Sequence, residues 1–310
     1  MGRIYALGET LYEKIYRERT FLKSIAGGSA VNTAISLGRM ELPVYLISEF
    51  GKDEEGNKLS DFFLENKVNT KYVYRHSDGK TSVSNARLDA NNEAQYQFFK
   101  DLPKKRFEIE LPDFKDDDIL LFGSWFAINP ELKSKVSSIL KHAHNAQSLI
   151  IYDPNFRLAH IDELKQIKPY ILRNMKYADI VRGSNEDFKN IFGAMSAKEA
   201  FQYLPNESSY LIYTTSKEGE FLQCKNYSEN YPIPEISPVS TIGAGDNFNA
   251  GLIYGLSQKG ICKKDLPYLD KKVWKDIINY GIRFASKVCM LEDNYISSDF
   301  AREIKLKSLV

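Results

Sequence analysis

Cysteine is scarce in this chain: Cys224, Cys262 and Cys289 are far apart, odd in number and without a Cys-x-x-Cys pair, which argues against a disulfide framework or a zinc site. A reducing, cytoplasmic setting is the expectation. Histidine is also sparse. His142 and His144 stand two apart on a predicted helix and so cannot face one metal, while His76 and His160 are isolated on polar stretches. No charge of one sign dominates: 42 Lys and Arg against 41 Asp and Glu leave a net +1, so no global field draws the chain to nucleic acid or to an anionic membrane. No apolar run approaches the roughly 20 residues of a membrane span. The opening Met1-Gly2-Arg3 and residues 4–7 are interrupted by Glu9, Glu13 and Lys14 too soon for a signal peptide. Any phosphate site must therefore be local.

What is present is a rhythm. Short aliphatic or β-branched runs at 3–7, 44–47, 119–122, 149–152, 180–182 and 211–214 read as strands. Stretches with helical apolar spacing lie between or after them, at 31–40, 54–66, 130–146, 185–192, 247–259 and 271–288. This alternation predicts an α/β fold, a central mostly parallel sheet with helices on both faces. The 310 residues form one domain in this reading, with a small β-sheet lid from about 11–24 and 81–100. Those two stretches fit no βαβ unit; within the second, 82–84, 86–88 and 96–99 read as strands about the polar turn 89–92, so a small antiparallel flap is expected.

The most informative segment is Gly243-Ala244-Gly245-Asp246, which opens an apolar helix. Two glycines spaced by one small residue let backbone N–H groups converge, and the helix start adds its positive dipole end, which together make an anion site. A carboxylate beside such a site has a use if it accepts the proton of an attacking alcohol while the N–H groups hold phosphoryl oxygens. The bland alternative is a turn followed by Asp246 as helix N-cap, and these residues alone leave it open. Other phosphate motifs are missing: residues 51–58 have P-loop glycine spacing but Asn57 where Lys is needed, and no Gly-x-Gly-x-x-Gly follows the first strand.

Four segments taken together resemble the ribokinase-like, or PfkB, family of carbohydrate kinases, and within it the fructokinases. They are Ala26-Gly27-Gly28-Ser29-Ala30-Val31-Asn32, the Gly243–Asp246 segment, Asn185-Glu186 after a strand, and Gly8-Glu9-Thr10-Leu11-Tyr12-Glu13. The resemblance implies a ribokinase-like fold and an ATP-dependent sugar kinase, a fructokinase foremost. The alternatives are a kinase for 2-keto-3-deoxygluconate, ribose or a nucleoside, and a catalytically silent sugar- or nucleotide-binding protein. It further implies Asp246 as base, Gly243, Ala244 and Gly245 as the anion hole, and Arg157 as a transition-state cation. Glu13, Gly27, Gly28, Asn32, Lys100 and Asp246 become sugar contacts; Asn185, Thr215, Lys217, Gly219, Gly243 and Gly245 become nucleotide contacts. Magnesium would come with ATP, with Glu186 holding it through water. Ser240 and Ile242 depart from the family's usual Asp and Thr, at positions that help build a monovalent-cation site in some members. A homodimer through the lid is the expected assembly, with Tyr96, Phe98 and Phe99 suited to burial there.

Overall fold

The computed structural model describes residues 2–17, 19–88, 94–205, 210–225 and 227–307, with backbone alone for Leu88 and 94–96. Two sheets organise the chain. The larger has nine strands: β1 (Ile4–Leu7), β4 (Val44–Gly51), β5 (Asn69–His76), β8 (Ile119–Gly123), β9 (Leu149–Asp153), β10 (Ile180–Ser184), β11 (Tyr210–Thr214), β12 (Glu220–Cys224) and β13 (Tyr227–Tyr231). Their order is β13-β12-β11-β10-β9-β8-β1-β4-β5, parallel from β5 to β11 and antiparallel at the β11-β12-β13 end.

β1 shows why the parallel strands read as unbroken apolar runs. Ile4 and Ala6 enter one core cluster and Tyr5 and Leu7 the other, so both faces of the strand are covered. The first cluster takes α1 (Ser29–Arg39), α2 (Glu54–Glu65), α8 (Ala244–Gln258), α9 (Lys271–Cys289) and α10 (Ser298–Lys307). The second takes α3 (Ser124–Ile128), α4 (Lys133–Asn145), α5 (Leu164–Tyr177), α6 (Asn185–Phe192) and α7 (Ala197–Phe201). The result is helix, sheet, helix in three layers, as the alternation predicts. Helix starts are set locally: Asp53 accepts from Gly56 N–H at 3.0 Å to begin α2, and Asp270 accepts from Val273 N–H at 2.8 Å to begin α9.

The second sheet has four strands in the order β3-β2-β6-β7, from β2 (Leu11–Arg17), β3 (Thr20–Gly27), β6 (Val83–Leu88) and β7 (Ala94–Phe99). The expectation of a purely antiparallel flap is corrected here. β2 and β6 pair in parallel, because the chain travels through the main sheet and returns before β6 forms; only the hairpin-like pairs β2-β3 and β6-β7 are antiparallel. The turn expected at 89–92 lies outside the described residues, as does the Tyr96 side chain. β2 follows β1 after three residues, which fixes the small sheet at the carboxyl edge of the large one. Ion pairs tie it to the body: Lys14 to Glu55 at 3.0 Å, Lys23 to Asp293 at 2.8 Å, and Lys100, just after β7, to Glu9 at 2.7 Å. Chain order reverses between β1 and β8, and the crevice at such a reversal, outside the carboxyl ends of the strands, is where open α/β sheets bind ligands.

Candidate active site

α1 carries a polar stripe at helical spacing, Ser29, Asn32, Thr33 and Ser36, and this stripe faces the first turn of α8. Ser29 Oγ donates to Asp246 Oδ1 at 2.5 Å, Asn32 Nδ2 to Asp246 Oδ2 at 2.8 Å, and Thr33 Oγ1 to the Asp246 carbonyl at 2.8 Å. Ser36 Oγ donates to Asn247 Oδ1 at 2.6 Å. Asp246 is thus not the helix N-cap. That position belongs to Gly243, whose φ of 78° needs a glycine, and the Asp246 carboxylate bonds across to another helix. Burial pushes its acidity toward weaker acid, opposed by the Ser29 and Asn32 donors; Asp153 adds to the rise and the Arg157 charge opposes it. Among the first-turn N–H groups of α8, that of Ala244 meets the Thr241 carbonyl at 3.3 Å, while those of Gly245 and Asp246 have no intrahelical partner and present donors beside a buried carboxylate.

Behind that turn lies a buried cation. Arg182, from the middle of β10, donates through Nη1 to Asp153 Oδ2 at 3.0 Å and through Nη2 to Thr214 Oγ1 at 2.8 Å. The guanidinium sits so close to Gly245 that a Cβ there would fall 2.6 Å from Nη1. Asn249 Nδ2 also donates to Asp153, at 2.7 Å. Glu220 is buried nearby with Oε2 unpartnered among the described residues, and burial pushes its pKa up to about 8, with Arg182 pulling the other way.

The segment after α9 closes the other side. The Asn294 carbonyl packs against Gly243 and accepts from Asn247 Nδ2 at 2.8 Å; the same Nδ2 reaches the Gly243 carbonyl at 2.8 Å. Asn294 Nδ2 lies 3.5 Å from Glu13 Oε2, and Asp293 holds Lys23 of β3. Ile296 N–H donates to Ser36 Oγ at 3.2 Å. Residues 293–296 therefore touch the small sheet, α1 and the glycine turn at once.

The pfkB family carbohydrate kinase model matches residues 4–296. The chain belongs to the pfkB family of carbohydrate kinases. Among curated relatives, it is 24% identical over 261 residues to a fructokinase of Vibrio alginolyticus, covering 83% of this chain and 85% of that one. It is 26% identical over 283 residues to a fructokinase of Rhizobium leguminosarum bv. trifolii, covering 88% and 86%. In fold it resembles the fructokinase of Vibrio cholerae O395 solved with fructose, ADP and potassium (TM-score 0.83, 18% identity, 96% and 95% covered). It also resembles the aminoimidazole riboside kinase of Salmonella enterica solved with its riboside and an ATP analogue (TM-score 0.83, 18% identity, 98% and 99% covered).

In this pfkB chain the expected residues fall into two groups. Glu13, Gly27, Gly28, Asn32 and Asp246 converge: a Cβ on Gly27 would lie 3.2 Å from Glu13 Oε2, Gly28 is the N-cap of α1, and Asn32 and Asn294 link the carboxylates to their surroundings. Burial weakens the Glu13 acid. Asn32 Oδ1 is left buried without a partner among the described residues. Lys100 is held at Glu9. Arg157 is exposed and does not pair with Asp153, which Arg182 occupies. The second group lies along the ends of β10 and β11. Thr215 closes a turn, its Oγ1 donating to Gly219 O at 3.0 Å, and Lys217 is exposed on that turn. Asn185 and Glu186 are exposed in the first turn of α6. The buried acid of that motif is instead Asp187, which completes a capping box with Ser184 and accepts from Phe156 N–H at 2.6 Å.

No motif marks Arg182 or Glu220: Arg182 closes a short run read as an ordinary strand, and Glu220 lies in a strand that no alternating pattern announces. His76, read as isolated on a polar stretch, is buried at the end of β5. Its signal was available in Tyr72 and Val73-Tyr74, a β-rich run overlooked as a strand.

Proposed function

We propose that the protein transfers the γ-phosphate of ATP to a primary hydroxyl of an uncharged sugar, fructose foremost. The observation that carries this reading is the buried Asp246 carboxylate, held by Ser29 and Asn32 at the open first turn of α8. The two donors leave each carboxylate oxygen a free lone pair for an incoming alcohol. In a loose phosphoryl-transfer transition state the attacking proton leaves late, so a carboxylate, here made more basic by burial, suffices as base.

The N–H groups of Gly243, Ala244, Gly245 and Asp246 take up charge on the phosphoryl oxygens, Arg182 backs them from behind Gly245, and exposed Arg157 adds a cation from the other side. Glu13, Gly27, Gly28 and the free Asn32 Oδ1 orient the sugar. Thr215, Lys217, Gly219 and Asn185 meet the nucleotide. Among the described residues no cluster of three His, Cys, Asp or Glu could cage a metal. Magnesium would arrive with the triphosphate, where it would neutralise phosphate charge, and exposed Glu186 would reach its water shell.

A cavity of about 400 Å³ is lined by Glu9 and Thr10, just ahead of the small sheet, and its two basic side chains already meet carboxylates: Lys100 with Glu9, and Arg106 with Glu49 and Glu131. That supports a neutral sugar over a keto-sugar acid, which would call for an uncommitted cation. The small sheet acts as lid, closing over the sugar and excluding water that would otherwise hydrolyse ATP. Phe21, Leu22, Phe98 and Phe99 are exposed on it, which supports a homodimer through the lid; light scattering that gives a monomer mass at micromolar concentration removes that part. The expected setting is the cytoplasm; no helix among the described residues is long and apolar enough to cross a membrane.

The test is a coupled ADP-release assay with magnesium ATP across fructose, ribose, 2-keto-3-deoxygluconate and nucleosides, with Asp246→Asn beside the wild type. Sugar-dependent turnover should fall by about 10²- to 10⁴-fold in the variant. Turnover that survives the substitution sinks the role of the base; binding without any turnover favours a silent binding protein.

A further inference from the structure

The cavity lined by Glu9 and Thr10 contains a feature the catalytic reading does not use. Its wall includes His76, which is 2% exposed and whose Nδ1 has no hydrogen-bond partner among the described residues. An unpaired buried polar atom is unfavourable, and such a nitrogen calls for an explanation. His76 is reached by charges from several elements: Glu49 at the end of β4, Asp78 beyond β5, Asp53 at the start of α2, and Arg106. Burial nonetheless lowers its affinity for a proton, so the ring is neutral and offers one acceptor and one donor nitrogen.

Next to it the Arg106 guanidinium is fixed by Glu49 through Nε at 2.6 Å and by Glu131 through Nη1 at 2.8 Å, while Glu49 also accepts from Phe107 N–H at 2.7 Å. Arg106 Nη2 also meets Glu49 Oε1, so all three nitrogens face carboxylates and the charge is balanced, which leaves two of the five N–H groups to donate to a neutral hydroxyl but no uncommitted cation for an acid. Trp125, Phe126 and Phe50 supply flat apolar surface to the same space. The place of this cavity relative to the chemistry follows from the chain. Glu9 and Thr10 line it, the Glu9 carbonyl packs against Gly28, and the next residue, Ser29, holds Asp246.

We propose that His76, with Arg106 braced by Glu49 beside it, forms the subsite that grips the end of the sugar remote from the hydroxyl being phosphorylated, and so determines which sugar is accepted. This rests on the sugar-kinase reading and goes beyond it in naming the discriminating residues. A neutral imidazole, spare guanidinium N–H groups and an aromatic wall match the hydroxyls and C–H face of an uncharged polyol. A sugar too short to reach His76 forgoes the imidazole contact and binds less well, which is how a site built on hydrogen bonds rejects a truncated analogue.

The experiment compares wild type, His76→Phe and His76→Asn with D-fructose and with D-ribose. Phe keeps the ring and removes both nitrogens, so its thermal stability should equal or exceed that of wild type, which separates a binding role from a structural one. The expected result is a fall of about tenfold or more in the fructose-to-ribose ratio of kcat/KM for His76→Phe. It should arise in the sugar KM with the ATP KM unchanged, and His76→Asn should recover part of it. An unchanged ratio and sugar KM in a folded His76→Phe overturns the proposal and leaves the kinase reading intact.

If wild type turns over neither sugar, the kinase reading fails for both, and the subsite is judged by titrating D-fructose against the emission of Trp125. The other tryptophan, Trp274, is buried in the core away from the cavity and serves as a constant background. A sugar-dependent change lost in His76→Phe sustains the subsite; no change, or an equal change in both proteins, overturns it.

Discussion

Replacing Gly245 by alanine tests the link between the glycine turn and the buried arginine behind it. The new Cβ would lie 2.6 Å from Arg182 Nη1, 3.0 Å from Nη2 and 3.1 Å from Cζ, whereas unstrained contacts between such atoms begin near ~3.5 Å. One side must therefore give by about 1 Å, and the arginine has little room. Asp153 at 3.0 Å and Thr214 at 2.8 Å hold its two ends, and the Phe248 ring lies 5.6 Å from its Cζ. Breaking a buried ion pair outright costs about 3–5 kcal/mol, so a forced stretch of this one should cost about 2–4. For a chain of 310 residues that lowers Tm by about 3–6 °C. The turn itself would move by a fraction of an ångström, and misplacement on the 1 Å scale costs about 10²-fold in rate. Thermal unfolding by circular dichroism and the ADP-release assay measure both. The double variant with Arg182→Met adds a sharper test, because removing the guanidinium gives the Cβ space and the two costs should fall well short of their sum. A Gly245→Ala protein that melts within about one degree of wild type, or a pair of substitutions that adds within the usual ~0.5 kcal/mol, refutes the argument.

Other consequences are open to measurement. Glu220 is raised in the folded protein to about 8, so the folded state binds the extra proton between its unfolded acidity and that value. Stability is then greatest below the unfolded pKa and is lost as pH rises toward 8, by an amount on the order of a few kcal/mol. Glu220→Gln should flatten the fall of Tm between about pH 5 and 8; a wild-type profile parallel to that of the variant argues against it. The Lys23 to Asp293 pair joins the small sheet to the segment that packs on Gly243, so Lys23→Asp should raise the sugar KM by about two- to fivefold, the range of an exposed pair. Exchanging both charges should restore it, and a swap no better than the single change rules the link out. Asp246→Asn should melt no lower than wild type, since it relieves a carboxylate that burial disfavours, while Ser29 and Asn32 can reorient to the amide.

Much of this architecture could be read from the residues before any coordinates. Strands of the parallel sheet bury both faces and announce themselves as apolar runs, and six helices fell where periodicity put them. α5 escaped because Pro169 lies inside it, and proline usually marks a helix start or end. The β12-β13 hairpin escaped because Glu220, Glu229 and Asn230 interrupt any alternating pattern. At the site, motif residues close in sequence were legible: Gly243 to Asp246 and Gly27 to Asn32 each form one turn. Asn32 was expected to face sugar; the structure shows it holding the Asp246 carboxylate, a contact spanning 214 residues that no local pattern encodes. Glu186 and Asp187 were separated only by the fold, since which of two adjacent carboxylates points inward depends on the capping box with Ser184. His76 needed the cavity around it.

The strap at residues 293–296 has a consequence for how the enzyme comes to life. A chain emerging from the ribosome would offer Ser29 and Asn32 early and Asp246 late, and the carbonyl that braces the glycine turn arrives later still, 47 residues beyond Asn247. Each bond that closes the site joins distant stretches, and such long-range contacts form last and slowly. A chain that ends before residue 293 can therefore hold much of its sheet, and Asp246, while the Gly243 turn stays unbraced, so the turn is completed only once residues 293–296 have been made.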